Sequence, residues 1–354
     1  MQSRRNRRLT PRIDAPAMAD MPDPAHILAV APNWLGDAVM CTPALRALKR
    51  RFPQSTLAVA GQPSICMLLE GLPFVDRLYP LASQRGLFSM LAAAWSVAED
   101  ARDLAVLFPH SFRSALLARL AGARRRIGYN RDNRRLLLTD APEPHRENGV
   151  VTPVYMAREY LELVAPLGCT DDGRGLELAA DPAERAAVRE RFAGLGPLVA
   201  IAPGAAFGPA KRWPADRFAA VADALAARRG ARCVLLTGPG EADTREAVLR
   251  AAKSPLLEFP GGGIPRLKAI LAEADLLVGN DSGPRHIAIA FGKPVVCVMG
   301  PTSPRYTDSP WEKGRVLRVE VDCGPCQKPV CVTDHRCMTR ITADAVVEAA
   351  LPFL

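Results

Sequence analysis

The sequence predicts an α/β protein made of two doubly wound halves with a ligand cleft between them. Short apolar runs that end in Pro, Gly or Asn alternate with stretches of helical periodicity. The runs are HILAVAP (26–32), TLAVAG (56–61) and LAVLFP (104–109), then PLVAIAPG (197–204), ARCVLLTGPG (231–240), ADLLVGND (274–281) and KPVVCVMGP (293–301). Strands that alternate with helices favour parallel sheets covered on both faces. Ligands of such folds bind at the carboxyl ends of the strands.

The pattern weakens between residues 165 and 196, where Gly, Asp and Pro are typical of a linker. We therefore predict an N-terminal half over 25–180 and a C-terminal half over 181–354, closed by a helix in ITADAVVEAALPFL. Residues 1–24 carry Arg clusters without the apolar stretch of a secretory signal. We predict that they form a disordered basic leader.

Composition fits a globular, cytoplasmic protein with an anionic partner. Of 354 residues, 49% are hydrophobic and 23% are charged, and the formal net charge is +9. No apolar run approaches the roughly 20 residues of a membrane-spanning helix. A basic body suits nucleic acid, anionic lipid or a phosphorylated sugar, although a solvated Arg-rich surface is an equal alternative. Five cysteines in apolar contexts indicate buried thiols in a reducing compartment: Cys41, Cys66, Cys169, Cys233 and Cys297.

The turn after the first predicted strand, PNWLGDAVM (32–40), carries a candidate catalytic carboxylate. Gly36 permits a tight turn, and Asp37 stands where the next helix begins. Asp is a preferred helix N-cap, which is the structural alternative. The functional alternative is a carboxylate aimed into the cleft, able to take a proton from a hydroxyl group. The G-x-G-x-x-G fingerprint of dinucleotide-binding folds is missing from this turn.

Two segments of the second half predict a phosphate site. In PGAAFGPAKRWP (203–214), Lys211 stands just before a predicted helix start, where a cation and free N–H groups suit a phosphate. In VGNDSGPRHIAIAFGKPVV (278–296), Ser282 and Gly283 open a helix, and Asp281 can accept hydrogen bonds from sugar hydroxyls. The structural alternatives are a solvated basic pair, an N-cap at Asp281 or Ser282, and a His286 on the helix surface.

Glu241 of TGPGEADTREAV (237–248) stands at another helix start. There it either complements the helix dipole or grips the ribose hydroxyls of a nucleotide.

The chain resembles the bacterial lipopolysaccharide heptosyltransferases of glycosyltransferase family 9. The residues that carry the resemblance are PNWLGDAVM (32–40), FPHSFRSALLARLAG (108–122) with IGY (127–129), PGAAFGPAKRWP (203–214) and NDSGPRHIAIAFGKPVVCVMGPTSP (280–304). The heptosyltransferase II branch is the most similar. The resemblance extends from about His26 to the C-terminus. It implies a GT-B fold, in which two Rossmann-like domains face each other across a cleft.

The resemblance also implies a reaction. An ADP-heptose donor is bound mainly by the second half, and the first half binds an anionic acceptor, the Kdo/heptose inner core of lipopolysaccharide at the inner membrane surface. L-glycero-D-manno-heptose is transferred with inversion, without a required cofactor or catalytic metal. The alternatives are a GT-B enzyme with another nucleotide sugar, such as an epimerase, and a non-catalytic nucleotide-sugar-binding protein. Nucleic acid is not expected, because aromatic residues make up only 6% of the chain.

Matching residues to the family motifs assigns Asp37 as the general base and Lys211 to the donor phosphates. Glu241 matches the ribose contact, and the backbone near Ile264 matches the adenine contact. The remaining matches are Asp281, Ser282, Gly283 and His286 on the donor loop, and Asn33, Ser111 and Arg113 on the acceptor side.

The C-terminal segment VDCGPCQKPVCVTDHRCM predicts a metal site or free thiols. Four cysteines form a C-x2-C-x4-C-x5-C array: Cys323, Cys326, Cys331 and Cys337. Four thiolates can hold structural zinc tetrahedrally. Free thiols and a disulfide are the alternatives, the second disfavoured in a cytoplasm. We assign the array no catalytic role.

Overall fold

The computed structural model describes residues 23–82, 86–194, 196–258 and 261–354. Almost all of the predicted leader lies outside the described residues. The first half contains β1 (His26–Val30), α1 (Leu35–Met40), α2 (Thr42–Arg51), β2 (Thr56–Gly61), α3 (Pro63–Leu69), β3 (Arg77–Pro80), α4 (Leu87–Ser96), α5 (Ala98–Ala101), β4 (Leu104–Leu107), α6 (Phe112–Leu120), β5 (Arg125–Ile127), a hairpin of β6 (Arg146–Glu147) and β7 (Val150–Val151), and α7 (Met156–Val164).

The second half repeats the alternation of strands and helices. It contains α8 (Pro182–Phe192), β8 (Leu198–Ala202), α9 (Ala215–Arg229), β9 (Arg232–Leu235), α10 (Ala242–Ala251), α11 (Gly263–Glu273), β10 (Leu276–Asn280), α12 (Gly283–Ala290), β11 (Pro294–Val298), β12 (Lys313–Leu317), α13 (Arg336–Thr339) and α14 (Ala343–Ala350). The closing helix α14 packs on α9 of this half.

Each half has a five-stranded sheet, which confirms the predicted α/β class. The strand orders are β3-β2-β1-β4-β5 and β12-β11-β10-β8-β9, with every neighbouring pair parallel. The strand order of the first sheet reverses between β1 and β4, and that of the second sheet reverses between β8 and β10. In doubly wound sheets a ligand crevice opens outside the carboxyl ends of the strands at this reversal. The loops after β1, β4, β8 and β10 therefore lie where a ligand is expected.

Helices cover both faces of the first sheet because its strand side chains alternate between two cores. Ile27 and Ala29 of β1 belong to a core with α1, α2, α3 and α7. Leu28 and Val30 belong to a separate core with α4 and α6. Strands buried on both faces read as continuous apolar runs, which is why β1 was evident from the sequence.

The helix that the sequence predicts after β1 is divided in two. Helix α1 ends at Met40 and α2 begins at Thr42, with Pro43 in its first turn. Pro has no N–H for the helix ladder and its ring clashes with the preceding turn, so one continuous helix cannot form here. Helix α9 ends at Arg229 and is capped by Gly230, whose left-handed φ of 63° is typical of a glycine C-cap.

The two halves meet through helices. Helix α1 packs on α12, and α3 packs on α11. The buried ammonium of Lys268 on α11 donates to the carbonyl oxygens of Leu68 and Glu70, both at 3.1 Å. In the connection between the halves, Arg46 pairs with Asp172, while α8 packs on α11 of the second half. The division at residue 180 stays a prediction. None of the helices within the described ranges is long and apolar enough to span a membrane.

Candidate active site

Asp37 lies in the first turn of α1 and does not serve as the N-cap of this helix. The N-cap residue of this helix is Trp34, so the N-cap alternative for Asp37 is wrong. The Asp37 carboxylate is half-buried, and no hydrogen bond to it occurs among the described residues. Burial raises its pKa from 3.8 to about 6, against the opposing charges of Lys211 and His110. A nearly unpartnered carboxylate in a crevice is suited to accept a proton.

Two glycines let the halves approach closely beside Asp37. A Cβ at Gly36 would lie 2.7 Å from Cδ2 of His286 on α12, and a Cβ at Gly283 would lie 2.9 Å from the Cβ of Leu35. Gly36 is therefore required by a contact between the halves, in addition to the tight turn that the sequence predicted. Gly283 serves the same contact from the other side.

Asp281 lies at the end of β10 and is fully paired. Its Oδ2 accepts from Lys211 Nζ at 2.8 Å and from Thr302 Oγ1 at 2.9 Å, and its Oδ1 accepts from Arg285 Nη1 at 2.8 Å. Burial alone would raise the pKa of Asp281, but Lys211 and Arg285, then His286, hold it well below the usual range. Asp281 is therefore a permanent anion that holds the Lys211 ammonium in the crevice.

Arg285 links Asp281 to a second buried carboxylate, that of Glu312. It is 1% exposed and forms a bidentate pair with Glu312, at 2.8 and 2.6 Å. Glu312 and Thr302 were not predicted as part of the site, because they lie 27 residues from Arg285 and 21 residues from Asp281. In the sequence, the one signal for these pairs was a cation, Arg285, placed four residues after Asp281 at a predicted strand end.

His286 is buried, so its placement on the helix surface is wrong. Burial, then the positive charge of Arg285, lowers its pKa from 6.5 to about 3, and the ring is neutral. Its Nδ1 has no hydrogen-bond partner in the part of the chain that the structure describes. The ring packs between the halves against Gly36.

The other predicted donor residues surround the same strand ends. Glu241 accepts from the Gly238 N–H at 2.7 Å, and its carboxylate lies directly against Gly204, where any Cβ would overlap it. Ser282 is the N-cap residue of α12, and its side chain makes no capping bond. Ile264 is half-buried in the first turn of α11.

On the acceptor side, Asn33 and Arg113 are exposed, while Ser111 has a structural task. Ser111 Oγ accepts from the Ser114 N–H at 3.3 Å and caps α6. Arg134 is fully buried and donates to the Pro109 carbonyl at 2.5 Å. It thereby shapes the loop after β4.

That loop also carries a pair that the sequence analysis missed. His110 Nε2 lies 2.8 Å from Oε1 of the buried Glu159 on α7, although the two atoms are not aligned for a hydrogen bond. Both charges act on the Asp37 carboxylate. His110 follows β4, which lies beside β1 in the sheet. Only the strand order could therefore have revealed that His110 lies close to Asp37.

The four C-terminal thiols line one cavity of about 70 Å³. Burial, then the proximity of the other three cysteines, raises the pKa of Cys337. Within the described ranges no three His, Cys, Asp or Glu side chains are placed to share a metal ion. The zinc site stays a prediction. The segment contacts the loop that carries Lys211, because His335 Nε2 lies 2.7 Å from the Ala210 carbonyl oxygen.

Comparisons with known proteins identify the family. The sequence model of glycosyltransferase family 9 (heptosyltransferase) matches residues 90–336, well over half of the chain. The chain is 30% identical to lipopolysaccharide heptosyltransferase 2 of Salmonella typhimurium over 83% of its own length and 88% of the relative's. Lipooligosaccharide heptosyltransferase 2 of Haemophilus influenzae is 29% identical over the same shares.

Solved structures agree with this assignment. The structure of E. coli ADP-heptose lps heptosyltransferase II superimposes with a TM-score of 0.76 at 26% identity, covering 93% of this chain and 98% of the other. The family 9 glycosyltransferase of Veillonella parvula has the same fold, with a TM-score of 0.82 at 24% identity over 94% and 98% of the two chains. The chain therefore belongs to glycosyltransferase family 9, the heptosyltransferases, and has the GT-B fold with a cleft between two Rossmann-like halves.

Proposed function

We propose that this chain transfers L-glycero-D-manno-heptose from ADP-heptose to the Kdo/heptose inner core of lipopolysaccharide, with inversion and with Asp37 as the general base. The observation that carries the proposal is the half-buried Asp37 carboxylate, which has a raised pKa and lies within the electrostatic reach of Lys211. The relatives' names supply the sugar and the acceptor class.

The chemistry is a single displacement. Asp37 removes the proton from an acceptor hydroxyl, the oxygen attacks C1 of the heptose, and the bond from C1 to the diphosphate oxygen breaks as ADP leaves. Inversion needs one base on the face opposite the leaving group. A base with a pKa near 6 is ionised at neutral pH and takes a proton more readily than an ordinary carboxylate.

Lys211 and the N-terminus of α12 are suited to the departing diphosphate. Developing negative charge is best stabilised by fixed donors and cations, and a helix N-terminus offers free N–H groups. Lys211 can turn toward a phosphate without leaving the Asp281 carboxylate unpaired, because Arg285 and Thr302 still donate hydrogen bonds to that carboxylate. These groups supply the charge that a catalytic metal provides elsewhere, so the proposed reaction requires no cofactor.

The remaining contacts follow the family resemblance. Glu241 accepts from the ribose hydroxyls, and the backbone at Ile264 meets the adenine. Asn33, Ser111 and Arg113 face the acceptor, whose carboxylates and phosphates suit the exposed Arg113 guanidinium. Since that acceptor is lipid-anchored, we propose that the enzyme works at the cytoplasmic face of the inner membrane.

Calorimetry with ADP-heptose, UDP-sugars and GDP-sugars tests the donor. We expect selective binding of ADP-heptose, and weaker binding by Lys211→Ala because the diphosphate loses its cation. Arg158→Ala is a matched control, since Arg158 is exposed and pairs within its own helix. Selective binding of another nucleotide sugar would keep the fold and overturn the heptose assignment. An unchanged donor affinity in Lys211→Ala would remove Lys211 from the phosphate site.

A further inference from the structure

Helix α4 exposes an apolar face that the proposed reaction does not use. Its ten residues, LFSMLAAAWS, include no charged side chain. Met90, Ala93 and Ala94 pack into the core beneath the helix. Phe88 is 87% exposed and Trp95 is 85% exposed, with Leu87 at 68% and Leu91 at 43%. Phe88, Leu91 and Trp95 follow i, i+3, i+7 spacing, so they form one stripe along the outer side of the helix.

Helix α6 extends this face. It packs beside α4, and both helices cover the same core of the first sheet. Phe112 and Leu120 on α6 are 47% and 40% exposed. Single exposed apolar residues are ordinary, whereas a contiguous set on two adjacent helices marks a site of interaction. We refer to the outer sides of α4 and α6 as the α4/α6 face.

The α4/α6 face has a basic rim. Residues 111–138 contain eight arginines, of which Arg134 is buried and Arg125 pairs with Asp140. Arg113, Arg119 and Arg135 are exposed and form no ion pair with any residue in the described ranges. Arg102 lines a surface depression together with Trp95 and Glu99. The rim therefore offers unneutralised positive charge around an apolar centre.

We propose that the α4/α6 face docks onto the surface of an anionic lipid bilayer, with Phe88 and Trp95 entering the headgroup region. Aromatic side chains favour the membrane interface, and exposed Arg residues are attracted to anionic headgroups. A second copy of the chain fits less well, because a twofold contact would bring two arginine-rich rims together.

Docking by this face would also place the site close to the membrane. Helix α6 begins directly after Ser111, in the loop that carries His110, so its N-terminal end lies at the edge of the crevice. A lipid-anchored acceptor could then reach Asp37 from the bilayer. This consequence rests on the proposed function, whereas the lipid binding itself does not.

Flotation of the full-length protein with vesicles tests the proposal. The probe is vesicles of phosphatidylcholine mixed with phosphatidylglycerol, compared with phosphatidylcholine alone, without nucleotide or acceptor. We expect the wild type to float with the anionic vesicles and Phe88→Glu/Trp95→Glu to lose about tenfold or more in partitioning. Phe88→Ser/Trp95→Ser should also lose partitioning, which separates lost apolar contact from added negative charge.

The control is Val150→Glu/Val332→Glu, which adds the same charge at two exposed apolar positions outside the α4/α6 face. It should float like the wild type. All of the replaced side chains are exposed, so thermal unfolding midpoints should stay close to that of the wild type.

Equal flotation of the wild type and both Phe88/Trp95 variants would overturn the proposal, as would a wild type that ignores anionic vesicles. Light scattering that shows a wild-type dimer, dissociated by Phe88→Glu/Trp95→Glu, would assign the face to self-association instead. Because the assay contains no sugar nucleotide, its failure leaves the ADP-heptose proposal untouched. Loss of ADP-heptose binding would likewise leave the flotation result standing.

Discussion

Asp37 and Asp281 are both aspartates of the candidate active site, but their pKa values are shifted in opposite directions. Each lies beyond the carboxyl end of a central strand, at the point where the strand order of its sheet reverses. Asp281 accepts from Lys211, Arg285 and Thr302, and its pKa is held well below the usual range. Asp37 receives no such bond within the described residues, and burial raises its pKa to about 6.

Hydrogen-bond and ion-pair partners, more than burial, therefore decide the pKa of a carboxylate near a strand end. Both groups are desolvated, and desolvation alone would raise both pKa values. Three donors convert Asp281 into a fixed anion that holds a cation. Without such donors, Asp37 remains able to exchange a proton. The first half thus contributes a base and the second half a charge scaffold.

Removing Arg285, which pairs with both Asp281 and Glu312, should have the largest effect on stability. Arg285→Met leaves Asp281 and Glu312 buried without their shared cation, which should cost about 3–5 kcal/mol of unfolding free energy. Urea denaturation at neutral pH measures this loss. Arg158→Met, which removes an exposed pair with Glu162, is the control and should change little. A stable Arg285→Met would mean that the cluster is solvated and that Asp281 is not a fixed anion.

Forcing the two halves apart should have the next largest effect. Gly36→Ala places a methyl group 2.7 Å from the His286 ring, so α1 must shift away from α12. We expect a loss of about 1–3 kcal/mol in stability together with a marked loss of transfer. Gly86→Ala is the control, because the nearest atom to its added Cβ is Ser89 Oγ at 3.9 Å. Full activity of Gly36→Ala would show that the contact between α1 and α12 does not position Asp37.

Removing the charge of Asp37 should stabilise the protein. Its pKa is raised in the folded state, so ionisation costs stability as pH rises from about 4 to above 6. Asp37→Asn should therefore gain about 1–2 kcal/mol at pH 8, and the gain should shrink as pH falls below 6. Urea titrations at several pH values measure it. A variant less stable than the wild type at pH 8 would indicate that Asp37 has a stabilising partner.

Changes in the cysteine segment should have the smallest effect on the comparison, because the segment contacts the Lys211 loop at Gly208 and Ala210 and takes no part in the ion pair between Lys211 and Asp281. If the predicted zinc is bound, elemental analysis of protein purified without chelator should give about one zinc per chain. Cys323→Ser/Cys326→Ser should release it with little change in transfer. Four titratable thiols and no metal would reject the site.

The buried strands and the polar residues at their ends could be predicted from sequence, whereas the exposed edge strands could not. Strands such as β1 and β10 are buried on both faces and form apolar runs, which also pointed to Asp37 and Asp281. The edge strands β3 and β12 are short, polar and largely exposed, so they carry no such signal.

Pairing partners were equally hidden, because their proximity is created by the fold. Glu312 lies 27 residues beyond Arg285, and Glu159 reaches the site from α7. Gly36 was predicted for its turn, while its contact with His286 depends on how the halves meet.

The most direct test of the account is the rate of heptosyl transfer by Asp37→Asn, measured beside its affinity for ADP-heptose. We expect a fall of about 10²–10⁴-fold in turnover with donor affinity unchanged. Wild-type kcat/KM should decline as pH falls through about 6, since protonation of Asp37 removes the base. Near-normal turnover by Asp37→Asn would contradict the assignment of Asp37 as the base.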